Sequence, residues 1–103
     1  MKPRIPIPEA AIADFCGRWK VTEFALFGSV LRDDFGPDSD VDVLVSFAPD
    51  SVHTLFDLVR MERELGEIFG RKVDLVTRGA VERANAWSRE AILGSLAHVA
   101  LAS

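Results

Sequence analysis

The chain is short of cysteine, of surplus positive charge and of long apolar runs, and each shortage argues against a class of protein. Its one cysteine, Cys16, has no partner for an internal disulfide. With 12 basic against 16 acidic residues, the formal net charge of −4 argues against strong unaided affinity for the polyanionic backbone of nucleic acid. No apolar stretch approaches the roughly 20 residues that cross a bilayer. The opening Met1-Lys2-Pro3-Arg4-Ile5-Pro6-Ile7-Pro8 is too short and too rich in proline for a signal peptide. Internal repeats and low-complexity linkers are missing as well. A cytoplasmic location without a membrane partner is the expectation.

What is there suits an ordered globule. The 103 residues, 49% hydrophobic and 27% charged, suffice for one core but not for a second substrate-binding domain, so a single domain over 1–103 is expected. Pro8 suits the first position of a helix running to about Trp19, which buries Ile12, Phe15, Cys16 and Trp19 at helical spacing. A strand over about 22–27 precedes a short helix from Ser29 to Asp34, and the turn Phe35-Gly36-Pro37-Asp38-Ser39 feeds a second strand over about 40–47. Ala48-Pro49-Asp50-Ser51 breaks that strand and supplies a helix cap. The next helix, about 53–69, places Leu55, Leu58, Val59, Glu62, Leu65, Ile68 and Phe69 on the side expected to pack on the sheet, and ends at Gly70. A third strand covers 72–76, residues 77–88 read as a loop or irregular helix, and a last helix from Ser88 carries Ile92, Leu93, Leu96 and Val99. The order α-β-α-β-α-β-α predicts an α/β (α+β) fold, a small mixed sheet of three to four strands with helices against it.

The segment from Gly28 to Val45 carries the chemistry. In extended structure residues i and i+2 share a face, so Asp40 and Asp42 project together while Val41, Val43 and Val45 fill the other side. Two such carboxylates repel each other, and hard divalent cations with oxygen ligands relieve the repulsion; two ions roughly 3.5–4 Å apart clamp the attacking and leaving oxygens of a phosphoryl displacement. Phe24-Ala25-Leu26-Phe27 reads as a buried strand stopping at Gly28, where the absence of Cβ lets the backbone approach a ligand. Ser29 follows at the start of a helical segment, whose free N–H groups favour phosphate. For Ser29 to meet Asp40 the two strands must run antiparallel. Lys72-Val73-Asp74-Leu75-Val76 adds a third acid, which is costly to bury alone and is expected beside the other two, where it can hold metal and accept a proton from an attacking hydroxyl.

Gly28-Ser29, ten residues, Asp40-x-Asp42 and then Asp74 on the next strand together resemble the nucleotidyltransferases of the DNA polymerase beta superfamily, in particular the minimal nucleotidyltransferases, or MNT proteins. The resemblance covers about residues 20–93. It implies the nucleotidyltransferase fold and transfer of AMP from ATP with two Mg²⁺ ions and release of pyrophosphate. Asp40, Asp42 and Asp74 are then the catalytic and metal-binding acids, with Gly28, Ser29 and Arg32 on the nucleotide. Asp33 stands where many members have glycine. The resemblance further implies a partner, a HEPN-domain RNase toxin modified on a hydroxyl, typically of tyrosine, with this chain as antitoxin; the sequence leaves open whether the assembly is a homo- or hetero-oligomer. A non-catalytic module that neutralises its partner by occlusion is the alternative, and a small-molecule nucleotidyltransferase with a separate subunit is a third.

The remaining polar residues have plainer readings. Asp33, Asp34 and Asp38 are expected to be solvated or capping acids, and by its own chemistry Arg32 suits either a phosphate or these aspartates. Arg60, Arg63 and Arg71 are assigned to the exposed face and end of the long helix. His53 and His98, the latter in the last helix, are structural or exposed, and Trp19 and Trp87 are core or covering residues.

Overall fold

The computed structural model describes residues 5–32 and 35–99; Asp33 and Asp34 lie outside the described residues. Helix α1 (Glu9–Trp19) follows Pro8 and stops at Lys20, whose left-handed backbone (φ 59°) turns its N–H onto the Cys16 carbonyl. Strands β1 (Val21–Phe27) and β2 (Val41–Phe47) pair antiparallel, as expected, from Val21 opposite Phe47 to Phe27 opposite Asp42. Phe24, Ala25 and Leu26 in β1 and Val43, Leu44 and Val45 in β2 are buried without a break, the pattern of strands covered on both faces.

Helix α2 (Leu55–Phe69) starts with a capping box, in which Asp57 N–H donates to Thr54 Oγ (3.2 Å) and Thr54 N–H donates to Asp57 Oδ2 (3.0 Å). It ends at Gly70 (φ 69°) and leads into β3 (Val73–Thr77), which lies parallel to β2. The packed seam of α2 is Leu58, Met61, Leu65 and Ile68. That corrects part of the expected apolar side. Val59 sits about 100° round the helix from Leu58 and Leu55 heads the first turn outside the seam, so with Val52 and Phe56 they form an exposed apolar stripe.

The C-terminal part departs furthest from expectation. Residues 77–88 contain a short helix α3 (Arg78–Glu82), and α4 spans Ala86–Leu93, capped by Asn85 Oδ1 accepting from Ser88 N–H at 2.9 Å. Instead of continuing through Leu96 and Val99, the chain turns at Gly94-Ser95 and adds a strand β4 (Ala97–His98) to the open edge of β1. The gain is backbone pairing: Ala97 sits opposite Leu26, His98 opposite Ala25, and Val99 N–H donates to the Phe24 carbonyl at 2.9 Å. His98 is therefore in a strand, with Nε2 2.7 Å from Glu23 Oε2. Glu23 also accepts the fork of Arg78 at 2.7 and 2.6 Å and the Ser46 hydroxyl at 2.7 Å. The Arg78 guanidinium above all, with Ser46 and His98, outweighs burial and holds the Glu23 carboxyl down at about 2. The sheet order is β3-β2-β1-β4, a four-stranded mixed sheet. The fold is the expected α/β one, with a 3-10 helix over Gly28–Leu31 where a helix from Ser29 was expected, the expected end of which, Asp33 and Asp34, lies outside the described residues.

Candidate active site

The site gathers where β1 ends, β2 begins and β3 begins. Phe27, extended, faces Asp42 in the antiparallel register, and the next residue, Gly28, takes φ 75°. A Cβ at Gly28 would overlap Asp42 Oδ2 and come within 3.2 Å of Asp42 Cγ. Glycine is thus required twice, by the backbone and by the carboxylate pressed against it. Gly28→Ala is expected to cost about 1–2 kcal/mol in backbone strain alone and to displace Asp42. Calorimetry should register a lower melting temperature for the variant.

Ser29 lies on the 3-10 helix, and its hydroxyl donates to the Asp40 carbonyl at 3.4 Å, so it ties the glycine turn to the start of β2. In the parallel pairing of β2 with β3, Asp42 stands directly beside Asp74. Asp42 is half-buried, Asp74 is exposed, and Asp40 sits just ahead of β2. The Lys72 ammonium is 3.9 Å from Asp40 Oδ2. Burial, followed by the charges of Asp74 and Asp40, raises the Asp42 pKa above its ordinary value, with Arg32 opposing. Asp74, though exposed, is raised as well, first by the partial loss of water around its carboxyl and then by Asp40, with Lys72 opposing and Glu62 adding to the repulsion. Glu62 reaches over from α2, its Oε2 accepting from Leu75 N–H at 2.9 Å.

Among the described residues no three His, Cys, Asp or Glu side chains converge into a closed ligand set. The donor chemistry nevertheless fits a hard divalent cation: all the nearby acids offer oxygen, and the two in register have raised pKa values that a cation between them would lower. Asp40, Asp42 and Asp74 are the residues that would hold it.

Beside this corner opens a cleft of about 620 Å³, walled by Gly28, Leu31 and Arg32 on one side and by Ile92, Ser95 and Leu96 on the other. Arg32 is exposed at the end of the 3-10 helix, its N–H on the Ser29 carbonyl at 2.9 Å. The second wall was not foreseen. Its residues read as one side of a continuous last helix, and only the turn at Gly94 and the pairing of β4 bring Leu96 and Ala97 round to the glycine turn. Asp38 is exposed in its turn, as expected, and Trp87 is exposed rather than covering a core. His53 packs against Phe47, ring centroids 4.3 Å apart, away from the acids.

Residues 9–94 match the family model of the nucleotidyltransferase domain. Protein adenylyltransferase MntA of Thermococcus cleftensis is 35% identical over 65 residues, which are 63% of this chain and 64% of that protein. The alignment likewise spans 63% of the length of two relatives from Methanocaldococcus jannaschii, at 38% and 33% identity. A crystal structure of a toxin–antitoxin with AMP-PNP superposes with a TM-score of 0.70 at 17% identity, over 93% of this chain and 75% of the matched one. A complex of a tri-AMPylated Shewanella oneidensis HEPN toxin with an MNT antitoxin gives 0.62 at 18% identity, over 91% and 70%. At these identities the two complexes share the fold. No described helix is long and apolar enough to cross a membrane.

Proposed function

The chain belongs to the nucleotidyltransferase domain family, and from that premise we propose that it is a Mg²⁺-dependent protein adenylyltransferase. It moves AMP from ATP to a hydroxyl, that of a tyrosine, on a HEPN-class RNase toxin, and so acts as its antitoxin. The observation that carries the reading is the register of Asp42 beside Asp74, next to a glycine whose missing Cβ makes room for the Asp42 carboxylate. The name of the Thermococcus cleftensis relative and the AMPylated partner in the Shewanella oneidensis complex support the choice of a protein acceptor.

Asp40, Asp42 and Asp74 hold Mg²⁺, which when bound neutralises the charge of the triphosphate and of the displacement. Gly28 lets the triphosphate come close to the backbone, Ser29 keeps the turn against Asp40, and Arg32 supplies a cation at the mouth of the cleft. Asp74, exposed at the end of the sheet, takes the proton of the acceptor hydroxyl. The bond from that oxygen to the α-phosphorus forms as the bond to the β-phosphate bridge breaks, and pyrophosphate leaves. AMP on a tyrosine in an RNA-binding pocket adds a bulky anion that repels substrate phosphate.

The test is incubation of the purified chain with its HEPN-class partner, ATP and Mg²⁺, followed by intact-mass spectrometry of the partner. One or more adenylyl additions, matched by pyrophosphate released, are expected. A partner of unchanged mass overturns the reading.

A further inference from the structure

Arg71 and Lys72, at the junction of α2 and β3, touch the chain at three successive residues around the first acid. Arg71 Nη1 donates to the Gly36 carbonyl at 2.9 Å and to the Ser39 carbonyl at 3.1 Å. Its guanidinium lies over the Phe35 ring, 4.4 Å from the centroid. Next along, the Lys72 ammonium is 3.9 Å from Asp40 Oδ2, and the Lys72 carbonyl accepts from Val41 N–H at 3.0 Å. Residues 39, 40 and 41 are therefore held in turn by the same two residues of the junction. The turn itself is closed by Ser39 N–H on the Gly36 carbonyl (3.1 Å) and Gly36 N–H on Ser39 Oγ (3.0 Å).

We infer that Arg71 is a positioning residue for the acid centre: it fixes the turn ahead of Asp40, and because its own segment runs on into β3, it sets Asp40 against Asp74. Asp40 precedes β2, so strand pairing alone does not hold it as it holds Asp42 and Asp74. An unbraced turn would let that carboxylate wander. Arginine is suited to the task because its planar group can bond two carbonyls edge-on while its face rests on a ring. Arg71, expected at the exposed end of a helix, is instead half-buried with two carbonyl partners.

The inference rests on the proposed adenylyltransferase reading for its functional consequence, but not for its structural one. Two measurements keep them apart, made on the parent, Arg71→Ala and Arg71→Lys. Amide hydrogen exchange should show protection of residues 36–41 falling by about tenfold or more in Arg71→Ala, with protection in the middle of β1 and β2 kept. Titration of Mg²⁺ at fixed ATP, read as nucleotide binding, should show the half-saturating concentration raised by about tenfold or more in the same variant. Arg71→Lys, which keeps the charge and loses the planar fork and the stack, should fall between. Unchanged exchange at 36–41, uniform loss of protection across the sheet, or an unchanged Mg²⁺ requirement alongside a loosened turn would each overturn the assignment. A parent chain that binds no ATP with Mg²⁺ would instead defeat the adenylyltransferase reading, while the exchange experiment still decides whether Arg71 braces the turn.

Discussion

Asp42→Asn is expected to lower AMP transfer by roughly 10² to 10⁴, the range for losing several kcal/mol of transition-state charge stabilisation, while leaving the chain at least as stable as the parent. The two halves of that result come from one cause. Asp42 is half-buried, adjoins Asp74 across the parallel register, and has its pKa raised by burial and by two neighbouring carboxylates. A neutral amide of the same shape removes that repulsion, so the folded state gains what the reaction loses. Stored repulsion of this kind is common at sites built to receive a cation. Transfer rates with ATP and Mg²⁺, together with thermal unfolding, check both halves. Parental transfer, or a variant that unfolds well below the parent, would remove Asp42 from the assigned role.

The neighbourhood of the candidate acids was legible in the sequence from alternation along β2 and from the cost of burying a lone carboxylate in β3. Alternation along β2 puts Val41, Val43 and Val45 in the core and leaves Asp42 the other face, and the need for Ser29 to reach Asp40 fixes β1 and β2 as antiparallel. The same need predicted the Ser29–Asp40 contact, though its partner is the backbone carbonyl of Asp40. What was hidden depends on long-range closure. Locally only Gly94 marks a helix end, and it does not say that Ala97 and His98 go on to a strand; the unpaired edge of β1 decides that, and with it the far wall of the cleft. Arg71 was hidden for a related reason. An arginine after a helix-ending glycine reads as solvated, and only the fold brings Gly36 and Ser39 to it. Leu55 and Val59 show the opposite error: Val59 lies round the helix from the packed Leu58, and Leu55 lies in the first turn, ahead of the packed stretch, a limit that periodicity does not reveal.

Asp74→Asn is expected to bind ATP and Mg²⁺ within a few-fold of the parent, through Asp40 and Asp42, and to transfer AMP slower by roughly 10² to 10⁴, the usual worth of a positioned general base. Asp74 differs from Asp42 in being exposed, which is what a base that must meet a hydroxyl on another protein requires. In the metal-free chain the partial loss of water around its carboxyl, then the charges of Asp40 and Glu62 against that of Lys72, raise its pKa. The base works deprotonated, so parental transfer should be full at neutral pH and fall on acidification. The same variant separates catalysis from occlusion, because its complex with the partner is expected to persist. A partner still active as an RNase in that complex assigns neutralisation to the AMP. A partner silenced by the variant, unmodified, as fully as by the parent would make occlusion sufficient. Transfer at the parental rate would take the general-base role from Asp74.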